Sequence, residues 1–431
     1  METNGSSLQA PRAILLSDVH LGPYPKPEVA RDLCQLLAAN PGVEFVFVGD
    51  TFEFSALAEA DPELGWRRIA EANVEAFDAL GEHVCSGGKL TFIAGNHDAA
   101  LTRAAHLLAA RFGGAHSTRV VPWFLHLGDV HVEHGHLWDR DNAPLHPLAD
   151  WSAATEPLGV ALMRRFCAAQ GAHQFAHAHQ TTPVQGLVRT FRLFGWRAPL
   201  IVLGYFVTAF ALCFEALLLR PQQAAKDARR GGVRVHALAA EVGLEEQRLV
   251  RLLEVAPEPT HRRARSTFMR LYFDRIFAAI GALVALVLLA SSGITLARLA
   301  TLGVGVTYLL TGFGRAGRYP GPVDALERAS EKIRGELGAR VVVFGHTHVE
   351  HASEAYVNLG SFAYCRGPGR SYASMDYRGS LDLRYWPRSS ARSGIVSALP
   401  NARAGLGESP RSPTRGHSSS PGIENSCAES S

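Results

Sequence analysis

The chain has 431 residues and a formal net charge of +3, with Lys+Arg 43 nearly balanced by Asp+Glu 40. It has room for two or three domains, and it lacks the polyelectrolyte character and the basic, aromatic-rich groove that would point to long nucleic acids as partners. Its 6 cysteines are scattered without a Cys-x-x-Cys pair, which argues against a disulfide scaffold or a structural zinc framework and suits a reducing compartment.

Residues 1–12 are polar and lack the apolar core of a secretory signal, so export by such a signal is not expected. Short apolar runs at 13–16, 43–48 and 90–94 read as strands, with helices expected at 29–39 and 65–80. A hairpin is expected over 123–132, turning at Gly128-Asp129. Residues 1–150 therefore read as α/β, an architecture in which reactive side chains collect where strands end. From 151 to 319 the character changes: 198–219 is apolar apart from Glu215, and 276–313 is apolar apart from Arg298. A spanning helix needs ~20 such residues, so the first fits one span and the second a helical pair. That pair would turn at Ser291-Ser292-Gly293, and its first arm reaches spanning length only by starting near Leu271. Residues 320–387 return to strands, with one at 340–344 and a hairpin of 371–377 with 380–386 around Arg378-Gly379. Residues 388–431 are rich in Ser, Pro, Gly and Arg, bury too little to offset ordering entropy, and are expected to be disordered.

The 19 histidines are the compositional anomaly, and several stand directly after the strands. Asp18 and His20 follow the first run, Asp50 the second, and Asn96, His97 and Asp98 the third. His134 ends the hairpin strand, and His346 and His348 follow the strand at 340–344. In extended backbone, residues two apart point the same way, so Asp18 with His20, and His346 with His348, can aim at one point. Glycines beside Asp50, Asn96, His134 and His346 would supply positive-φ or close-packed backbone. Mixed carboxylate, imidazole and amide donors suit Mn, Fe or Zn better than Ca. Each motif alone is weak: a lone Asp-x-His is usually a surface strand end, and Asn96 or Asp98 could cap a helix. Their combination in this order is what carries the reading.

The blocks Asp18-Val19-His20, Gly49-Asp50, Gly95-Asn96-His97-Asp98, His134 and Gly345-His346-Thr347-His348 resemble those of the calcineurin-like metallophosphoesterase family. The resemblance covers roughly 1–140 and 335–365, and Asn358-Leu359-Gly360-Ser361 is similar to the turn that follows the last block. It implies a four-layer α-β-β-α sandwich of two mixed sheets carrying the helical segment 151–319 as an insertion. It also implies two divalent metal ions, Mn foremost: one held by Asp18, His20, Asp50 and His348, the other by Asp50, Asn96, His134 and His346, with Asp50 bridging. A bridging water acidified by both cations would attack phosphorus in line. His97 would stabilise the transition state or protonate the leaving oxygen, with Asp98 holding its tautomer. Arg140 and Asn142, in the Trp138-Asp139-Arg140-Asp141-Asn142 run, are candidates for substrate contact, Arg140 suiting a second phosphate. His131, His136, His173, His177 and His179 read more simply as strand or helix-face residues.

His134 and His346 must reach one site although the apolar segments lie between them, so any membrane crossings between them are even in number. Arg262, Arg263, Arg265, Arg270 and Arg275 precede 276–313, and Arg315 and Arg318 follow it. A hairpin with both ends cytoplasmic satisfies the positive-inside tendency, leaving 198–219 in the interface. The expected activity is hydrolysis of a phosphoester or pyrophosphate at a membrane, the catalytic part facing the cytoplasm. The Gly49-Asp50-Thr51-Phe52-Glu53-Phe54 block resembles the UDP-diacylglucosamine pyrophosphatase branch, implying a lipid-linked diphosphate, although His97 stands where that branch usually has Arg. The alternatives are a soluble-substrate phosphodiesterase or nuclease on the same centre, and a non-catalytic membrane scaffold.

Overall fold

The structure, a computed structural model, describes residues 11–169, 183–292, 295–313 and 321–389. The expectations for His173, His177, His179, Gly293, Arg315, Arg318 and the Ser-rich tail lie outside them. The first part of the chain supplies β1 (Ala13–Leu16), β2 (Glu44–Val48), β3 (Lys89–Ile93), β4 (Thr118–Val121), β5 (Phe124–Leu127) and β6 (Val130–Glu133). Its helices are α1 (Pro27–Ala38), α2 (Pro62–Ala72), α3 (Val74–Cys85) and α4 (Leu101–Arg111). Next come α5 (Leu158–Leu162), α6 (Pro183–Phe194), α7 (Ala198–Leu218), α8 (Arg220–Val242) and α9 (Glu246–Val255). They are followed by α10 (Ala264–Arg270), α11 (Phe273–Ser292), α12 (Leu296–Phe313) and α13 (Pro322–Leu337). The last strands are β7 (Val341–Phe344), β8 (Glu350–Ala352), β9 (Tyr356–Leu359), β10 (Arg370–Met375) and β11 (Leu381–Trp386).

The strands form a six-stranded sheet, β11-β10-β1-β2-β3-β4, and a five-stranded sheet, β5-β6-β7-β9-β8. β1 to β4 are mutually parallel, as are β6, β7 and β9, while β10, β11, β5 and β8 pair antiparallel. Central strands covered on both faces need apolar residues at every position, which is why β1 reads as an unbroken run rather than an alternation. Alternate side chains nevertheless separate by size. Ile14, Leu16, Phe45, Phe47, Leu90 and Phe92 pack with Leu33 of α1, Phe77 of α3 and Leu108 of α4. The smaller Ala13, Leu15, Val46, Val48 and Ile93 face Val130, Val132, Val341, Val343 and Val357 of the other sheet. Both hairpins form where expected, at Gly128-Asp129 and Arg378-Gly379. The helix expected at 65–80 is instead two, because Asn73 leaves helical backbone (φ −129°, ψ 41°) and its amide donates to the Gly22 and Ile69 carbonyls.

The 151–319 segment is distinct in composition but not wholly in packing. Val235, Leu238 and Ala239 of α8 and Leu249 and Leu252 of α9 share a core with Leu326 and Ile333 of α13 and with Val342 and Phe344 of β7. The remainder is apolar outward. α7 buries Ala198, Ile201, Ala209, Leu212 and Ala216 but exposes Leu200, Leu203, Val207, Phe210, Phe214 and Leu217. α11 and α12 form an antiparallel hairpin, with Arg298 reaching the Leu288 carbonyl, Gly305 against Ala278 and Ala282, and Tyr308 bonded to Asp274. Among the described residues two helical stretches are long and apolar enough to cross a membrane, Val188–Leu218 and Phe273–Ser291, whereas the apolar part of α12, Leu296–Leu310, is shorter. By length alone this differs from the expected spanning pair within 276–313, whose first arm does gain length by starting at Phe273.

Arg164 joins the segment to the first sheet's loops. Its guanidinium holds Glu156 through Nε (2.9 Å) and Nη2 (2.8 Å), and Nη1 donates to the carbonyls of Phe54, Leu57 and Glu59. Removing one partner from a buried pair strands the other charge, so Arg164→Met is expected to lower stability by about 3–5 kcal/mol. Chemical denaturation in detergent checks this; a midpoint unchanged from wild type would mean that the pair is not holding the segment.

Candidate metal centre

The C-terminal ends of β1, β2, β3, β6 and β7 deliver the polar residues to one rim. Asp18, His20, Asp50, His346 and His348 all adopt left-handed backbone, with φ of 57°, 50°, 51°, 67° and 55°. The Asp-x-His and His-x-His segments are therefore not extended, as the alternation argument assumed; their convergence comes from turning at the ligand residues themselves. A non-glycine residue in this region costs about 1 kcal/mol or more and persists only where its surroundings over-determine it. Here they do. The amides of Asp18, His20 and Leu21 donate to the carbonyls of Gly49, Asp50 and Thr51, and the Gly345 amide donates to the His134 carbonyl. Gly95 and Gly345 supply space rather than positive φ: a Cβ at Gly95 would fall on the Asp50 carboxylate, and one at Gly345 on Ser17 and Asp18. Gly49 supplies both, with φ of 78° and the His134 ring against its Cα.

Among the described residues three groups of donors result, the third being His20, Glu53 and His97. In the first, His348 Nε2 lies 2.8 Å from Asp18 Oδ1, with His20 Nε2 3.6 Å from that oxygen and 3.4 Å from His348 Nε2. In the second, His134 Nε2 lies 3.1 Å from Asp50 Oδ2 and 3.2 Å from Asn96 Oδ1, and the donors of Asp50, His134 and His346 lie within 4.8 Å of one another. Asp18, Asp50 and His134 are fully buried, a setting that unpaired carboxylates and imidazoles tolerate poorly. Each carboxylate spends one oxygen on a neighbouring loop, Asp18 Oδ2 on the His346 amide and Asp50 Oδ1 on the His97 amide, and turns the other to the imidazoles.

Carboxylates and carbonyls only accept, so they define which imidazole nitrogen carries hydrogen. His134 Nδ1 donates to the Val48 carbonyl (2.9 Å) and His20 Nδ1 to Glu53 Oε2 (2.7 Å), leaving Nε2 of both as the donor atom toward a cation. His346 Nε2 donates to Asp139 Oδ2 (3.0 Å), leaving Nδ1. These are mixed O and N sites with oriented imidazoles, which fits divalent cations of the Mn, Fe and Zn type. Glu53 and Asp139 are the functional residues that motif reading missed. The available signal was an acidic residue inside otherwise apolar or aromatic blocks, Thr51-Phe52-Glu53-Phe54 and Leu137-Trp138-Asp139.

His97 and Asp98 do not act as a pair. His97 Nδ1 meets Glu53 Oε1 (2.8 Å) and Ser55 Oγ (2.7 Å). Asp98 instead accepts from the backbone amides of Thr51, Phe52 and Gly95, at 2.7, 3.3 and 2.6 Å. Asp98 thus fastens the Asp50 and Asn96 loops, and Glu53 is the residue that orients His97. Burial, helped by the Asp50 charge, pushes Asp98 up to about 7 against the pull of those amides. Arg140, expected to contact a second phosphate, donates from Nε to the Glu258 carbonyl (3.1 Å). Asn142 is close by: its Oδ1 accepts from Asn96 Nδ2 (3.3 Å) and its amide donates to Asp139 Oδ2 (2.8 Å). His131 is a core residue between His126 and Glu133. His136 lines a cleft beside Asn96, with Trp151 and Pro157 among its walls.

Comparison with protein-family models and with curated proteins yields no match to this chain.

Burial disfavours charge on His20 and His134, yet bonds to Asp18 and Glu53 hold His20 up to about 10, and Asp50 holds His134 up to about 9. Both imidazoles therefore carry protons at neutral pH until a cation displaces them. Mn binding at pH 7.5 is expected to release on the order of two protons, and its affinity to rise with pH and fall on acidification. Calorimetry in buffers of different ionisation enthalpy reads this directly; heats independent of buffer would contradict it.

Proposed function

We propose that this chain is a dinuclear-metal phosphohydrolase of the calcineurin-like type, acting at a membrane on a phosphoester or pyrophosphate, with a lipid-linked substrate favoured. In this reading the two sheets and their helices correspond to the four-layer α-β-β-α sandwich. The observation that carries the proposal is the left-handed backbone at Asp18, His20, Asp50, His346 and His348, five residues from three strand ends turned inward on two adjacent donor groups. One cation would be held by Asp18, His20 and His348, the other by Asn96, His134 and His346, with Asp50 between them. When bound, two divalent cations acidify water and neutralise charge on the phosphoryl oxygens.

The chain's own residues supply the rest. Glu53 holds Nδ1 of both His20 and His97, so one carboxylate aligns a ligand and a proton donor. Burial opposes charge on His97, but Glu53 and Asp50 outweigh it and raise its pKa, which favours the protonated form. Its Nε2–H is the group to stabilise a phosphoryl oxygen or to protonate the leaving oxygen.

Connectivity supports attachment to one face of a bilayer. α8 and α9 pack on the same core as β7, so the number of crossings before residue 220 is even, and α7 cannot cross alone. Thr260 and Arg270 bond to Asp141, so the same holds for the pair α11 and α12. α7, buried on one face and apolar on the other, suits an in-plane position, and the α11–α12 hairpin suits a deeper one.

Detergent-purified protein with added Mn is expected to hydrolyse bis-p-nitrophenyl phosphate and, more efficiently, a lipid diphosphate. Asp50→Asn should abolish turnover, His97→Ala should lower kcat by about 10²–10⁴-fold, and Glu53→Gln by about 10–100-fold. Unaltered metal content and activity in Asp50→Asn would defeat the dinuclear assignment, and absence of turnover in Mn-loaded wild type would favour a binding role. For the topology, Val233→Cys and Tyr377→Cys, both strongly exposed, should react with an impermeant maleimide from the same side of sealed vesicles. Labelling from opposite sides would rule out the one-face arrangement.

A further inference from the structure

We propose that Lys26, seated on the ring of Tyr364, is a second anion-binding position of this site, built for the non-reacting phosphoryl group of a diphosphate substrate. The inference rests on the phosphohydrolase reading and names its substrate class. Lys26 Nζ lies 3.7 Å from the centre of the Tyr364 ring. That ring stacks on His348 (5.4 Å between centres, 13° between planes) and meets His20 edgewise at 5.3 Å. The ammonium is thus one aromatic ring away from two of the proposed ligands. Tyr364 is held there by the backbone of the centre itself: its amide donates to Ser361 Oγ (3.0 Å), and Ser361 Oγ donates to the Asp18 carbonyl (3.0 Å).

Local physics does not account for a lysine at this position. Lys26 is the residue before α1, where Ser, Thr, Asp or Asn would cap the helix, and it makes no capping bond. A cation there opposes the helix dipole. It is half-buried, and among the described residues no carboxylate lies within ion-pair distance of it. The Glu53 and Glu28 charges act on it from farther off, against Arg370, and burial lowers it to about 8, so it remains a cation at neutral pH. A residue chosen against cap, dipole and burial together, at the edge of a phosphate-handling centre, is explained by an anion that arrives with the substrate. An ammonium is a point charge with no fixed donor plane, which suits a phosphate whose orientation is set by the metals. A monoester has no second phosphoryl group to use it; a diphosphate does.

The test compares full-length, Mn-loaded wild type, Lys26→Met, Lys26→Arg and Tyr364→Leu on a nucleoside diphosphate sugar and on bis-p-nitrophenyl phosphate. Lys26→Met should raise KM for the diphosphate by about 10–100-fold, the loss of one charge-assisted bond. The diester should suffer far less, Lys26→Arg should recover most of the loss, and Tyr364→Leu should reproduce part of it. Equal losses on both substrates, or none on the diphosphate, would overturn the subsite while leaving the phosphohydrolase reading intact. Calorimetric binding of inorganic pyrophosphate against orthophosphate decides the subsite independently. Lys26→Met should weaken pyrophosphate selectively, and an unchanged preference would refute the subsite even if wild type turned over neither substrate.

Discussion

Asp18, His20, Asp50, His346 and His348 hold backbone that their own side chains disfavour, and the rest of the centre is arranged to make that tolerable. The loops after β1 and β2 run side by side and exchange main-chain bonds, while the carboxylates of Asp18 and Asp50 accept amides from loops arriving from elsewhere in the chain. Each aspartate therefore faces the imidazoles with one oxygen and braces a loop with the other. The brace shortens the reach of the loops and brings the imidazoles within bonding distance of each other before any cation is bound. Such preorganisation has a cost, since the donors crowd one another and the neighbouring carboxylates raise the pKa of His20 and His134. Glu53, Asp98 and Asp139 extend the same logic outward: a buried carboxylate stands behind nearly every loop that carries a ligand.

The run from Asp139 to Asn142 connects this centre to the helical segment. Asp139 holds His346, and Asn142 contacts Asn96. Between them Arg140 and Asp141 bond to Glu258, Thr260 and Arg270, immediately ahead of α11. The apolar helices and two donor residues therefore share a four-residue link, and a shift of the helices relative to the sheets has a short path to the metal ligands.

Much of the two-sheet part was legible because its central strands are buried on both faces, and unbroken apolar runs followed abruptly by Asp, Asn or His are conspicuous. The candidate donors Asp18, His20, Asp50, Asn96, His134, His346 and His348 all come from such positions, and the structure brings Asp18, His20 and His348 together and Asp50, Asn96, His134 and His346 together. Backbone handedness was not legible, because left-handed Asp and His are imposed by bonds from distant loops rather than by local preference. Glu53 and Asp139 were passed over for a related reason: a carboxylate's role depends on which imidazole faces it, and the facing partners lie 33 and 207 positions away. β8 is three residues with a polar, exposed pattern, too short for a period to register. The packing of α8 and α9 on the second sheet was hidden by composition, since α8 is rich in Arg and only a thin stripe of it is buried.

The adjacency of β6 and β7 has a consequence in time. His134 and His346 sit at the ends of neighbouring strands, yet every apolar helix is translated between them. At ~5–20 residues per second the second strand follows the first by roughly 10 to 40 seconds. Throughout that interval β6 has only β5 as a partner, its other edge is bare, and the second donor group is incomplete. The apolar helices thus leave the ribosome, and are free to pack or to meet lipid, before the second donor group is whole. Birth order therefore places every apolar helix ahead of the strand that completes the second donor group.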